Sequence, residues 1–300
     1  MGSNMHKSDA HGNRSLLAAV VLNVLITVAE VIGGLLSNSL ALLSDALHNL
    51  GDTMAILFAY LARRMSRKAS NDHKTFGYKR AEILAAFING LLLLGVSAYL
   101  LVEAAWRFSS PEPVKGLIVF MVASAGLLLN LAAMLLLRKH TKGNLNIRTA
   151  YLHLLGDTFS SLAVILGGLL VYWYQIYWID PLITILVSLY IMHAAWKVLR
   201  PVWNILMQAT PKGIDMALLK EELEKIEGID NIHHVHVWAL NEKEIHFECH
   251  AGLDSNRELI HTNGIRSRMQ NLLRQKFGIG HVTVQFEYQG CGEDDTEIVK

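Results

Sequence analysis

Six long apolar runs limit what this chain can become: residues 15–36, 40–62, 83–106, 117–137, 150–174 and 178–198. Each is long enough, at about 1.5 Å of rise per residue, to cross the ~30 Å of hydrocarbon in a bilayer as a helix. In lipid, every backbone N–H and C=O must find its partner inside the protein, so only helices and closed barrels can span. The runs are continuous rather than alternating, which selects helices. With 52% hydrophobic and only 18% charged residues among 300, the chain reads as a polytopic membrane protein and not as a soluble enzyme.

Six crossings return the chain to the side on which it started. The first connection, Ser37-Asn38-Ser39, carries no basic residue, whereas the second holds Arg63, Arg64, Arg67, Lys68, Lys74, Lys79 and Arg80. The fourth is again basic, with Arg138, Lys139, Lys142 and Arg148, and the fifth is not. By the positive-inside rule both termini are expected in the cytoplasm. Tyr172, Trp173, Tyr174, Tyr177 and Trp178 form an aromatic belt at the outer end of the fifth hairpin, and Pro111 and Pro113 punctuate the other outer loop.

From Pro211 onward the composition changes to a charged segment without a spanning run. Alternation and helical spacing predict a helix over 215–227, strands over 233–240 and 245–252, a helix over 255–277 and a strand over 282–288. Val235, Val237 and Ala239 are expected to face a core with Ile245, Phe247 and Cys249 and with Val282, Val284 and Phe286. His234, His236, His246, Glu248, His250, Gln285 and Glu287 then share the opposite face. The expected whole is a six-helix transmembrane domain over 15–208, preceded by a cytoplasmic tail over 1–14. A small α+β domain of order αββαβ follows over 209–289, with a C-terminal tail over 290–300. Residues 1–4, ahead of Met5, read as a cloning remnant. The two cysteines, Cys249 and Cys291, are too few for a disulfide scaffold and suit a reducing compartment.

Inside the spans two motifs stand out, His48-Asn-Leu-Gly-Asp52 in the second and His153-Leu-Leu-Gly-Asp157 in the fifth. Ionisable residues at such depth are costly and serve function by default. Asn23, Glu30 and Asn130 read equally well as hydrogen-bonding glue between helices. The two His-Asp pairs differ in repeating one spacing on two helices of opposite direction. Residues i and i+4 share a helix face, so each pair presents one imidazole nitrogen and one carboxylate oxygen about a turn apart. Two such faces enclose an N2O2 site, the coordination number and ligand chemistry of Zn2+. His48 and Asp52 lie half-way along their run, and His153 and Asp157 match that depth if the fifth helix begins near Leu145. Gly51 and Gly156 are expected to let neighbouring helices approach closely.

Three stretches resemble the cation diffusion facilitators, divalent-metal/proton antiporters that include zinc exporters. They are Ser39-Leu-Ala-Leu-Leu-Ser-Asp45-Ala-Leu-His48-Asn-Leu-Gly-Asp52, Phe76-Gly77-Tyr78-Lys79-Arg80-Ala81-Glu82 and His153-Leu-Leu-Gly-Asp157. The resemblance covers essentially the whole chain. It implies a transport site of His48, Asp52, His153 and Asp157, with Asp45 supporting or lining it, and a homodimer joined through a metallochaperone-like cytoplasmic domain. It also implies a cytoplasmic metal site at His236, His250 and Glu287, with His261 nearby and Gln285 where some relatives place a ligating His. A loop site at Asp72 and His73 is the weaker implication, since Tyr78 stands where a later His is found in members that have it. Zn2+ is then both the cargo and a regulatory ligand, and protons and membrane lipids are the other partners, with no nucleic acid. The expected location is a bacterial inner membrane. Competing readings are a membrane-anchored metal sensor or scaffold, and an intramembrane metalloenzyme. An anchor needs no buried carboxylates, and a metalloenzyme needs an open coordination position and a general base.

Overall fold

The computed structural model describes residues 3–138 and 145–288, with side chains described for 20–135 and 154–288. The N-terminal tail side chains, Lys139, Lys142, Cys291 and the C-terminal tail therefore lie outside the described residues, as does the side chain of His153. Six long helices come first: α1 (Ser3–Ser37), α2 (Leu40–Ser66), α3 (Ala81–Ser109), α4 (Gly116–Arg138), α5 (Leu145–Tyr174) and α6 (Ile179–Leu206). Then follow α7 (Met216–Glu224), β1 (Ile229–Ala239), β2 (Ile245–Leu253), α8 (Leu259–Phe277) and β3 (His281–Glu287), the expected αββαβ order. Two compact units divide the chain, Met1–Leu61 with Ile88–Leu199 and Ala62–Phe87 with Arg200–Lys300.

In the first unit, α1, α3, α4, α5 and α6 each carry a window long and apolar enough to cross a membrane. The sixth helix, α2, falls short of that measure because Asp45, His48, Asn49 and Asp52 dilute its apolar run. Large side chains such as Leu92, Tyr99, Val102 and Trp106 of α3 point outward, as they would toward lipid and not toward water. Tyr172, Trp173, Tyr174 and Trp178 are likewise exposed at the α5–α6 turn. Buried polar side chains hold the bundle in register instead. Glu30 on α1, fully buried, accepts a 2.8 Å bond from Asn49 Nδ2 on α2, and Asn23 Nδ2 donates to Thr53 Oγ1 at 3.2 Å. Asn23 and Glu30 thus join α1 to α2, whereas both side-chain atoms of buried Asn130 have no hydrogen-bond partner among the described residues. Asp180, at the start of α6, accepts from Ser39 Oγ and from the backbone N–H of Leu40 and Ala41. Ser39 caps α2 by accepting from the N–H of Leu42 at 3.1 Å, and the Asp180 carboxylate from another helix satisfies the remaining N–H groups of that first turn, Leu40 and Ala41.

Of the two motif glycines, Gly51 meets Leu93 of α3 so closely that a Cβ would sit 2.3 Å from Leu93 Cδ2. Gly156 is different, for its nearest neighbour is the Tyr190 hydroxyl at an ordinary 3.7 Å. Close approach at Gly51 is thus to α3, and Gly156 serves no comparable contact.

In the second unit, β1 and β2 pair antiparallel and β2 and β3 parallel, in sheet order β1-β2-β3. One face buries Ile232, Val235, Val237, Phe247, Cys249 and Ala251 against Leu219 and Leu223 of α7 and Ile265, Met269 and Leu273 of α8. Asp215 caps α7 by accepting from the N–H of Ala217 and Leu218, and Gly278 closes α8 with φ +68°. The predicted strand 233–240 starts earlier, at Ile229, because Ile229 and Ile232 extend the apolar face past the histidines.

Candidate metal centres

Asp45 fixes how α2 meets α5. Its carboxylate accepts from Ser160 Oγ at 2.6 Å and from Ser161 Oγ at 3.1 Å. One turn further along α2, and one turn back along α5, His48 Nε2 lies 3.5 Å from Asp157 Oδ1. The helices therefore run antiparallel past one another, as the opposed motifs require. His48 Nε2 is also 3.7 Å from Asp52 Oδ2 on its own helix, the i,i+4 geometry expected from the motif. One donor atom from each of His48, Asp52 and Asp157 falls within 4.8 Å of the others, with His48 and Asp157 buried. Asp52 is the thirteenth of 27 residues in α2 and Asp157 the thirteenth of 30 in α5, so the depths agree once α5 starts at Leu145. His153 sits on α5 one turn before Asp157.

A tetrahedral Zn2+ with bonds of about 2.0–2.1 Å separates its ligand atoms by about 3.3–3.4 Å. The two His48 distances are within a few tenths of an ångström of that spacing, and the third pair, Asp52 with Asp157, lies within 4.8 Å. Two carboxylates beside one imidazole also supply the negative charge that a divalent ion needs in a low-dielectric surrounding.

In the cytoplasmic domain the cluster is His233, His250 and Glu287. His250 Nδ1 is 2.9 Å from Glu287 Oε1, and His233 Nε2 is 3.4 Å from Glu287 Oε2. Asn231 Oδ1 lies 3.0 Å from His233 Nδ1 and orients that ring, the kind of outer-shell support that fixes a ligating imidazole. His234 stacks on His250 with ring centroids 4.9 Å apart. Gln285 Nε2 donates to Glu287 Oε1 at 2.7 Å, so Gln285 orients the carboxylate.

The set expected from the sequence is thus only partly brought together. His250 and Glu287 meet, but His236 is exposed opposite Glu248, and His261 is exposed on α8. The cause is a β-bulge. His233 pairs with His250 and His236 with Glu248, so β1 spends three residues where β2 spends two. His234 takes φ +48° to make the step. Simple alternation continued through the bulge cannot find His233, and no residue of this stretch is a glycine that would have signalled it. In the loop before α3, Asp72 and His73 are exposed, and Asn71 Oδ1 accepts from the backbone N–H of His73 and Lys74. Neither joins a metal-ligand cluster among the described residues.

A second group of rings lies elsewhere on the domain. His246 packs 4.5 Å from His281, stacks on Trp238 at 5.4 Å and meets Phe76 edge-on at 5.4 Å. Burial, and next the neighbouring His281, hold the His246 imidazole below its ordinary value.

Comparison with known proteins agrees with this architecture. The family model of the cation efflux transmembrane domain matches residues 16–207, and that of the cation efflux protein cytoplasmic domain matches residues 211–289. A cadmium, cobalt and zinc/H(+)-K(+) antiporter of Bacillus subtilis is 38% identical over 98% of this chain and 94% of its own. The zinc transporter ZitB of Escherichia coli is 37% identical over 99% and 94%. The metal cation efflux system protein CzcD of Cupriavidus metallidurans is 35% identical over 98% and 93%. With a helical membrane domain, a small cytoplasmic α+β domain and relatives of this kind over nearly its full length, the chain belongs to the cation diffusion facilitator family of metal-cation transporters and is not an enzyme.

Proposed function

We propose that this chain exports Zn2+ in exchange for protons, with His48, Asp52, His153 and Asp157 as the four ligands of the transported ion. The observation that carries the reading is the convergence of one imidazole and two carboxylates, from two antiparallel helices, half-way along both. His153 completes an N2O2 set by its spacing from Asp157. Hard ions such as Mg2+ and Ca2+ prefer six or more oxygens and are rejected by such a set. The names of the relatives support zinc among the cargoes and proton exchange as the driving reaction.

A metal ligand must be deprotonated, so loading the ion from the cytoplasm releases protons from the site. Imidazole has a reference pKa near 6.5, close to working pH, so protons arriving from the far side displace the ion once the site has reoriented. Proton import then drives metal export. The domain after α6 joins two copies into a homodimer and binds metal through His233, His250 and Glu287 as a regulatory site. The basic loops agree with a bacterial inner membrane and cytoplasmic termini.

Reconstitution of the purified protein in liposomes with an imposed pH gradient tests this. Zn2+-dependent proton flux is expected, with little response to Mg2+ or Ca2+. Flux that ignores the metal, or that survives loss of each ligand in turn, overturns the proposal.

A further inference from the structure

The second unit contains a cavity of about 280 Å³ lined by Phe76, Gly77, Lys79, Arg80, Gln208, Trp238 and Leu240. Two of these seven residues are cations and none is an acid. Lys79 spends its charge on Glu244, with Nζ to Oε2 at 2.6 Å. Arg80 does not: its Nε is buried and finds no acceptor among the described residues. A buried guanidinium donor without an acceptor costs free energy unless something outside the chain supplies one. Phe76 and Trp238 supply the aromatic part of the lining.

We propose that this cavity binds a phosphate group, with Arg80 as its donor. The planar guanidinium matches two phosphate oxygens, and the volume suits a phosphate or a small phosphodiester head better than a drug-sized ligand. Position favours a membrane lipid as the source. The apolar span of α3 starts at Ala81, the residue after Arg80, so Arg80 stands at the end of a stretch long and apolar enough to cross a membrane. The last turn of α2 and the loop after it also hold Arg63, Arg64, Arg67, Lys68 and Lys74, a basic stretch of the kind that gathers anionic lipid. An occupied cavity ties the loop before α3, through Phe76 and Arg80, to β1 through Trp238. Free inorganic phosphate offers the same chemistry from solution.

Native mass spectrometry of the full-length protein in detergent separates these sources. Wild-type protein is titrated with phosphatidylglycerol, with phosphatidylcholine and, separately, with inorganic phosphate. Retention of phosphatidylglycerol in preference to phosphatidylcholine is expected, and Arg80→Gln is expected to weaken it about tenfold, the loss of a charge-assisted hydrogen bond. Arg80→Lys, which keeps the charge but not the fork, is expected to fall between. Binding of inorganic phosphate that Arg80→Gln abolishes supports the site with a soluble ligand instead. The proposal is overturned if wild-type protein shows neither lipid selectivity nor phosphate binding, or if Arg80→Gln and Arg80→Lys bind both probes as wild type does.

Discussion

His48 Nε2 on α2 stands 3.5 Å from Asp157 Oδ1 on α5, one turn from the shorter Asp45–Ser160 contact that joins the same two helices. Because Asp157 is buried, its removal leaves His48 and Asp52 with too little negative charge to hold a divalent ion away from water. Asp157→Ala is expected to reduce Zn2+-driven proton flux in liposomes by more than about hundredfold, exceeding the 10–100-fold typical of outer-shell losses. Asp157→Asn, which keeps the shape and removes the charge, is expected to be nearly as poor. Activity of Asp157→Asn close to wild type would mean that charge at this position is not what the ion requires.

Asp45 acts on the same site from one turn away. By accepting from Ser160 and Ser161 it sets the rotation of α5 that presents Asp157 to His48. Asp45→Asn keeps the size but weakens both bonds, so the apparent affinity for Zn2+ is expected to fall about 10–100-fold while the maximal flux changes less. Ser160→Ala with Ser161→Ala should reproduce the effect, and a dose-response of flux against Zn2+ for both variants measures it. A loss of maximal flux at unchanged affinity would place Asp45 in the transport step instead of in positioning.

The domain after α6 carries its own pH dependence. His246 is held below its ordinary value by burial and by His281, with Lys79 and Arg80 acting in the same sense and Glu244 opposing them. The unfolded chain therefore takes up a proton at His246 before the folded chain does. Stability from this residue is complete above the reference value near 6.5 and is lost as pH falls below it. Thermal unfolding of the full-length protein, followed by intrinsic tryptophan fluorescence between pH 7.5 and 5.0, should show the melting point of the domain falling with pH. In His246→Gln that slope should flatten, whatever the change in absolute stability.

Cys249 offers a different probe of the same domain. Its side chain is fully buried in the core, and burial, with Glu248 nearby, pushes the thiol up to about 12. Against a reference near 8.5, native protein at pH 8 is expected to label at Cys249 on the order of a thousandfold more slowly than an ordinary thiol. The measurement uses Cys291→Ser as background and a maleimide as reagent. Rapid labelling without denaturant would show that the core around β2 opens on the timescale of the assay.

Much of this was legible in the residues themselves, because the governing constraints are local. Continuous apolar runs fix membrane helices through backbone hydrogen bonding, and the i,i+4 repeat puts His48 with Asp52 on one helix face whatever else the fold does. The antiparallel meeting of the two motifs followed from an even number of crossings between them. What escaped were contacts made at a distance in sequence. Asp180 caps α2 from 140 residues away, and nothing in its neighbourhood announces that a carboxylate at the start of α6 will serve another helix. Gly156 looked equivalent to Gly51 but meets only a tyrosine hydroxyl, because which helix faces a glycine is decided by the bundle and not by the motif.

The β1 bulge is the sharpest case, and it separates two ligand sets experimentally. The family resemblance points to His236 with His250 and Glu287, whereas the extra residue between His233 and His236 turns His233 to Glu287 and leaves His236 exposed. Glu287 lies beside Gly252 in the β2–β3 register, beyond His250 and away from the end of the sheet where His236 pairs with Glu248. His236 is therefore on the far side of the bulge from the carboxylate. Zn2+ titration calorimetry on the full-length protein, with Asp157→Ala to silence the membrane site, should show a binding step that His233→Ala and His250→Ala each remove. His236→Ala and His261→Ala should leave that step within about twofold of the parent, as expected for exposed residues outside the cluster. The reverse pattern, loss with His236→Ala and retention with His233→Ala, would mean that the strand binds metal in the unbulged register.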